Sequence, residues 1–334
     1  MSAADPLAAG LARALEGLWG ERPRIDNLHF ASAGARRRNV LFDAHRGDEP
    51  LPLVATIIPH RAMQVMDVEV EAASLRLARQ QGMPVPEVHG VWTDESLVGG
   101  PFFVTTRIEG ETIPRQVLRR VEREPGLGAR LARQCGEALA ALHAADPAKA
   151  HPALGRPSAD TSPVEHALVA AEALLRELLQ PSPSFTLGLR WLARHPPAAV
   201  ETPSVLHGDF RNGNLVVGAE GLRAALDWEL GHIGDPMEDL AWLCLRMWRF
   251  RKDALEVGGF STRAALREGY EAAGGHWREE AFHWWKVLGT LRWGLGLAGQ
   301  ARAHIEGTVP SIIMAASGRR VAELEYDLLG LLPE

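Results

Sequence analysis

The stretch SVLHGDFRNGNLVVGAEGLRAALDWELGHIGDPMEDLA, Ser204 to Ala241, decides how the rest of the chain is read. Two short apolar runs, VL and NLVV, flank the polar loop HGDFRNGN, and a Gly-Ala-Glu-Gly turn leads into a third run, LRAALDWE. Apolar runs bounded by turn residues predict strands, so the spacing predicts a hairpin that holds the loop at both ends. Asp209 and Asn214 stand five residues apart, and Asp227 follows Asn214 by thirteen. A carboxylate, an amide oxygen and a second carboxylate gathered this way form an all-oxygen set suited to Mg²⁺, with one carboxylate left to act as a base. The plainer reading is an Asx-rich turn in which Asp209, Asn212 and Asn214 bond only their own backbone.

HGDFRNGN resembles the catalytic loop H-x-D-x-x-x-x-N of the kinase-like phosphotransferases, and LDWE resembles the metal-binding D-F-G segment of protein kinases. GDPMEDLAW, Gly234 to Trp242, is similar to the G-D-P-x-x-D-L-A segment of the aminoglycoside phosphotransferase and choline kinase branch. Three such motifs in order support one another where one alone would be weak. The resemblance implies an α+β, bilobal protein-kinase-like fold. Residues 1–107 would form a small, mainly antiparallel β lobe with one main helix that binds nucleotide. Residues 108–334 would form a larger helical lobe carrying the catalytic hairpin and the acceptor site. Residue by residue, it implies that Asp209 is the catalytic base and that Asn214 and Asp227 hold Mg²⁺. Arg211 falls where protein kinases have a lysine near the transferred phosphate. The implied reaction moves the γ-phosphoryl group of ATP, or GTP, to a hydroxyl on a small molecule. Such transfer needs an acceptor in line, charge neutralisation and exclusion of water rather than covalent chemistry from the protein.

The composition fits this picture and narrows it. The chain has 334 residues, of which 46% are hydrophobic and 23% charged, enough for two lobes with a substantial core. A net charge of -6 gives no support to general nucleic-acid binding. No apolar run reaches the length of a membrane span, and the start MSAADPLAAGLARALEGLWG lacks a basic leader region, reading instead as a short amphipathic helix. Cys135 and Cys244, the only two cysteines, lie far apart in helical patterns and offer neither a disulfide framework nor metal spacing. A cytoplasmic protein without nucleic-acid or membrane partners is expected.

The amino-terminal part predicts strands with one helix. LHFASAGARRRNVLFDA turns around Gly34 between two apolar runs, and LPLVATIIP, Leu51 to Pro59, reads as a strand. VEVEAASLRLARQQG reads as a helix ending at Gly82, and VPEVHGVW and GPFFVTTRIEG read as further strands. By resemblance to the kinase small lobe, taken as strand, strand, helix, strand, strand, Gly34 lies in the loop over the nucleotide. Glu71 is then the helix glutamate, and Thr106 to Ile108 form the hinge that meets the base. One feature departs from the family. Leu51 to Pro59 should carry a cation that pairs with the helix glutamate and grips the phosphates, and carries Ala55, Thr56, Ile57 and Ile58 instead. No lysine precedes Lys149, so the cation must be an arginine: Arg61, or one of Arg36, Arg37 and Arg38. A solvated basic turn is the alternative for those three.

After Gly110 the pattern becomes helical. Leu131, Cys135, Leu139 and Leu142 share one helix face, and Asp146 to Pro163 reads as a surface connection. Asp235 and Pro236 predict a helix start, and the family resemblance implies that Asp239 reaches back to the backbone of His207 and Gly208. Trp242, Trp248, Trp277, Trp284, Trp285 and Trp293 read first as core, while the family resemblance implies that this region supplies the acceptor pocket. The basic character of Trp242 to Lys252 points toward an anionic or neutral acceptor, such as a hydroxyacyl-CoA, over a polycation. SGRRVAELEYDLLGLL, read as a helix with Arg319 and Glu323 paired, together with LRWGLGLAGQARAH, resembles the kinase-like portion of fused acyl-CoA dehydrogenases. The missing strand cation motivates a rival reading, a nucleotide-binding pseudoenzyme or regulatory module. A metal hydrolase built on His207, Asp209 and Asp227 would want more histidine ligands than the stretch supplies.

Overall fold

The computed structural model describes residues 6–33, 37–47, 49–59, 64–309 and 311–333. The amino-terminal part runs α1 (Pro6–Trp19), β1 (Arg24–Ala33), β2 (Arg38–Arg46), β3 (Glu49–Ile57), α2 (Val68–Gln80), β4 (Val88–Trp92) and β5 (Phe102–Thr106). Its five strands form one antiparallel sheet in the order β1-β2-β3-β5-β4. Three strands therefore precede α2, not two, because each apolar run beside Gly34 makes a strand of its own before β3 begins. Side chains alternate across a pleated strand, so Val40, Phe42 and Ala44 of β2 and Leu53, Ala55 and Ile57 of β3 enter one apolar cluster. Leu11 and Leu15 of α1 close that cluster, as the amphipathic pattern of the helix predicts.

The remainder is mostly helical: α3 (Pro114–Arg123), α4 (Leu127–His143), α5 (Pro163–Arg176), α6 (Pro183–Arg194), then four short strands, then more helices. The strands are β6 (Ser204–Leu206), β7 (Leu215–Gly218), β8 (Gly221–Ala225) and β9 (His232–Gly234). They are followed by α7 (Met237–Leu243), α8 (Arg263–Ala272), α9 (Glu279–Ile305), α10 (Ile312–Gly318) and α11 (Val321–Leu329). Leu131, Cys135, Leu139 and Leu142 of α4 are all buried, and α4 packs on α8. Helix α9 brings Trp284, Trp285, Leu288 and Leu291 into the larger core and touches α6, α7, α10 and α11. Among the described residues no helix is long and apolar enough to cross a membrane.

Three local expectations are corrected. The loop HGDFRNGN does not cap one hairpin: β6 pairs with β9, and β7 pairs with β8, so the loop joins two separate two-stranded ladders. Apolar runs specify that a strand is buried but not which other run completes its ladder. The segment from Asp146 to Pro163 is not wholly a surface connection, since Leu154 is buried and the Gly155 carbonyl accepts the Ile233 N–H of β9 at 2.8 Å. At the carboxyl end Arg319 terminates α10, and Glu323 pairs with Arg320 at 3.5 Å instead.

Strand β9 is locked to the helices by a buried charge cluster. His232 Nε2 lies 3.2 Å from Glu238 Oε2 of α7, and Arg292 of α9 donates to Glu238 Oε1 at 2.5 Å. Burial alone would raise the Glu238 carboxyl, but His232 and Arg292 carry it down to about 2. A depressed carboxyl stabilises the fold above its unfolded-state value and loses that share as pH falls toward about 2. Glu238→Gln leaves Arg292 and His232 facing an uncharged amide in a buried setting. Urea denaturation is expected to read a loss of about 3 kcal/mol at neutral pH, the scale of a broken buried pair. The difference from wild type should shrink on acidification; equal stability of the two proteins at neutral pH would rule the lock out.

Candidate active site

The catalytic-loop backbone is held from below. Asp239 of α7 accepts the His207 N–H and the Gly208 N–H, each at 2.8 Å, as the motif predicts. His143, at the end of α4, lies 3.2 Å from the same carboxylate. Gly208 adopts φ +79°, and a Cβ there would stand 2.1 Å from the Leu230 carbonyl oxygen, so only glycine fits this turn. His207 is fully buried; its Nε2 lies 3.1 Å from the Leu226 carbonyl and its Nδ1 lies 3.2 Å from the Asp209 N–H. These partners assign the proton to Nε2, and burial lowers the ring's pKa, so His207 is a neutral support.

Asp209 leaves this platform with its carboxylate gripped from three sides. Arg211 Nε lies 3.0 Å from both oxygens, Asn214 Nδ2 donates to Oδ2 at 2.7 Å, and Trp242 Nε1 donates to Oδ1 at 2.7 Å. The residue is only 7% exposed, and burial, the largest influence, raises its pKa; Arg211 and Trp242 oppose that. A buried carboxylate with a raised pKa is the usual state of a group that takes a proton during catalysis. Arg211 also stacks over Trp248, its guanidinium carbon 4.6 Å from the ring centroid.

The hairpin β7–β8 brings Asn214 and Asp227 to neighbouring positions. Leu215 pairs with Ala225, and the Leu226 N–H donates to the Asn214 carbonyl at 2.7 Å, so the two residues flank the last rung. Asp227 adopts φ +65°, a left-handed conformation that aspartate tolerates better than most residues. Because the Asn214 amide nitrogen is spent on Asp209, its oxygen is turned the other way. Among the described residues no donor reaches that oxygen. One amide oxygen and one carboxylate oxygen fit Mg²⁺, which takes few protein ligands and shares the rest with phosphate and water. Among the described residues no group of three or more His, Cys, Asp or Glu gathers into a protein-only metal cage.

The helix glutamate finds its cation outside β3. On β3 the Thr56 hydroxyl only donates to Asn39 Oδ1, at 3.0 Å. Arg37, just before β2, forks onto Glu71 of α2 with contacts of 2.8 and 2.9 Å. Its Nη1 also lies 3.5 Å from Asp227, and its Nε lies 2.9 Å from Glu229 without hydrogen-bond alignment. Burial works against charge on Arg37, but Glu71, Glu229 and Asp227 together outweigh it and raise its pKa. Burial likewise pushes the Glu71 carboxyl, 2% exposed, upward. The two effects pull the pair in different directions, and the two-pronged geometry is that of an ionised pair. Gly34, Arg36 and Arg61 lie outside the described residues. Arg38 opens β2 and is exposed.

At the expected hinge, the Thr106 N–H is taken by the Glu87 carbonyl and the Arg107 N–H by the Pro52 carbonyl, each at 2.9 Å. Of Thr106 and Ile108, therefore, only Ile108 has an N–H that no described residue holds. The basic character of Trp242 to Lys252 is largely neutralised. Arg246 pairs with Asp253 and Asp327, Lys252 pairs with Glu122, and Arg249 lies 3.9 Å from Glu256. Local charge in this stretch thus no longer argues for an anionic acceptor. The contact that sequence reasoning missed is Trp242 to Asp209. It was available, since Trp242 stands three residues after Asp239 and so shares its helix face.

A gripped carboxylate, an amide and a second carboxylate thus lie beside a sheet whose helix glutamate is ion-paired, the arrangement that the motifs imply for a kinase-like phosphotransferase. The model of the Phosphotransferase enzyme family, APH, matches residues 27–283, and the chain belongs to that family. Among solved structures, it superposes on one from Ralstonia eutropha JMP134, assigned provisionally as an aminoglycoside phosphotransferase, with a TM-score of 0.73. Identity there is 19%, covering 96% of this chain and 97% of the other. Aminoglycoside 2'-phosphotransferase-IIIa, solved with GDP, gives a TM-score of 0.65 at 13% identity, covering 97% and 99%. These likenesses fix the α+β kinase-like fold. Acyl-CoA dehydrogenase family member 11 of Homo sapiens is 26% identical over 283 residues, covering 78% of this chain and 33% of its own length. Acyl-CoA dehydrogenase family member 10 of Mus musculus is 28% identical over 181 residues, covering 53% and 16%. The chain spans a third or less of the length of these two relatives.

Proposed function

We propose that this protein moves the γ-phosphoryl group of ATP, or GTP, to a hydroxyl on a small molecule, with Mg²⁺ as cofactor. The observation that carries the reading is the buried Asp209 carboxylate bonded to Asn214, across the hairpin rung from Asp227. Residues 1–107 serve as the nucleotide lobe and 108–334 as the catalytic and acceptor lobe, with Ile108 at the hinge. Asp209 accepts the hydroxyl proton as the new bond to phosphorus forms, and Arg211 swings from Asp209 to offset charge on the transferring group. Asn214 and Asp227 would hold Mg²⁺, which neutralises charge between the outer phosphates when bound. Arg37, tied to Glu71, grips the inner phosphates in place of the absent strand cation. That pairing supports a catalyst over a nucleotide-binding pseudoenzyme, whose only motive was the missing cation.

The acceptor proposed is non-cationic, with a hydroxyacyl-CoA as one example. Arg211 lies over Trp248 beside the base, which disfavours a polycation there. Two free, buried cysteines accord with a cytoplasmic setting. The test is a mass-spectrometric search for a phosphorylated product after incubation with ATP, Mg²⁺ and pooled hydroxylated metabolites, hydroxyacyl-CoA thioesters and aminoglycosides included. A product 80 Da heavier, on the order of one phosphoryl group, is expected from a non-cationic compound. Phosphorylation of aminoglycosides alone would overturn the acceptor class, and no product with any nucleotide would overturn the reaction. Asn214→Ala should raise the Mg²⁺ concentration needed for half-maximal rate by about 10-fold or more, with partial rescue at high Mg²⁺. An unchanged Mg²⁺ requirement would remove Asn214 from the metal site.

A further inference from the structure

The carboxylate of Asp209 has more partners than a proton acceptor needs, and they are not equivalent. Arg211 Nε stands 3.0 Å from each oxygen, so it does not distinguish one from the other. Asn214 chooses Oδ2 and Trp242 chooses Oδ1, both at 2.7 Å, and together they fix the plane of the group. Two of these three donors have other work in the reaction proposed above, Arg211 at the transferred phosphate and Asn214 at the metal. Trp242 has one polar atom and one partner.

Its ring is placed to keep that bond. Trp242 is 6% exposed and meets Trp293 of α9 edge-on at 6.0 Å and Trp248 at 5.9 Å. A Cβ at Gly289 of α9 would stand 3.3 Å from the indole, so α9 backs the ring closely. Helix α7 therefore holds the catalytic loop at two points three residues apart: Asp239 takes the backbone and Trp242 takes the reacting side chain. A neutral donor also orients a base without cancelling its charge, as a second cation would.

We infer that Trp242 is a positioning residue for phosphoryl transfer: its indole N–H fixes which oxygen of Asp209 turns to the acceptor hydroxyl. This rests on the reading of Asp209 as base. Trp242→Phe keeps most of the ring and removes the N–H. With ATP and Mg²⁺, and water as the acceptor, phosphate release should fall in kcat by about 10-fold while KM for ATP stays put, since only the base is misaligned. Trp293→Phe, in the same aromatic cluster but without a bond to Asp209, is the packing control and should lose far less kcat. The bond has a signature independent of turnover. In ¹H–¹⁵N spectra, the indole cross-peak that Trp242→Phe deletes should lie downfield of the other tryptophans' and move upfield in Asp209→Ala. An indole peak indifferent to Asp209→Ala would overturn the proposal, as would equal kcat losses in the two Phe variants. If the indole peak responds to Asp209→Ala while Asp209→Asn still releases phosphate at the wild-type rate, the bond stands and the base reading fails instead.

Discussion

Asp209→Asn will lower kcat by about 10³-fold, within the range for losing a general base, while KM for ATP changes little. The substitution keeps the size of the side chain and its place on the His207–Gly208 platform, which is held through the backbone by Asp239. What it removes is the proton acceptor. The amide also turns an NH₂ toward one of the donors that now grip the carboxylate, Arg211, Asn214 or Trp242, so one short contact must open. That rearrangement is local, and the circular dichroism of the variant should match wild type. Retention of full phosphoryl transfer in Asp209→Asn, with any acceptor that the wild type uses, would remove Asp209 as the base.

Arg37→Ala is expected to weaken ATP binding by about 100-fold and to destabilise the fold by about 3 kcal/mol. The two losses share a cause. Glu71 is 2% exposed and its only charge-neutralising contact among the described residues is the Arg37 fork. Removing Arg37 leaves a buried carboxylate unpaired and leaves Glu229 and Asp227 near it without the cation that lies among all three. Arg37→Lys should recover part of the affinity but not the fork, because an ammonium group cannot bond both oxygens in parallel. Glu71→Ala should cost less stability than Arg37→Ala yet still weaken ATP binding, since Arg37 then loses its anchor. Isothermal titration with ATP and Mg²⁺ and urea melts of the single and double variants would measure the coupling. If Arg37→Ala binds ATP as tightly as wild type, the replacement of the strand cation must be sought elsewhere.

How far the sequence could be read depended on the range of the interactions involved. The loop HGDFRNGN with its carboxylate and amide lies within a short span, and fixed spacing makes it legible, whereas the reach of Asp239 to His207 and Gly208, some thirty residues away, was implied by the family resemblance alone. The pairing of β6 with β9 was not legible, because all three residues of β6 are buried and give no alternation to set a partner. Arg37 could be narrowed to a few arginines by the absence of lysine before Lys149, but not chosen among them. Its neighbours in sequence carry the same charge, and only the packing of α2 against the sheet brings Glu71 within reach of one. The basic stretch around Arg246 and Lys252 misled for a related reason: its counter-charges, Asp327 and Glu122, lie far away in the chain.

The ladder of β6 and β9 has one further consequence. Only four residues lie between Asp227 and His232, where the chain is already paired back to the strand that feeds the catalytic loop. On its other side only Leu226, itself bonded to the Asn214 carbonyl, lies between Asp227 and the last pair of β8. So short a span keeps the aspartate's backbone beside the catalytic loop, and any repositioning of Asp227 has to come from rotation at the residue itself rather than from travel of the segment that carries it.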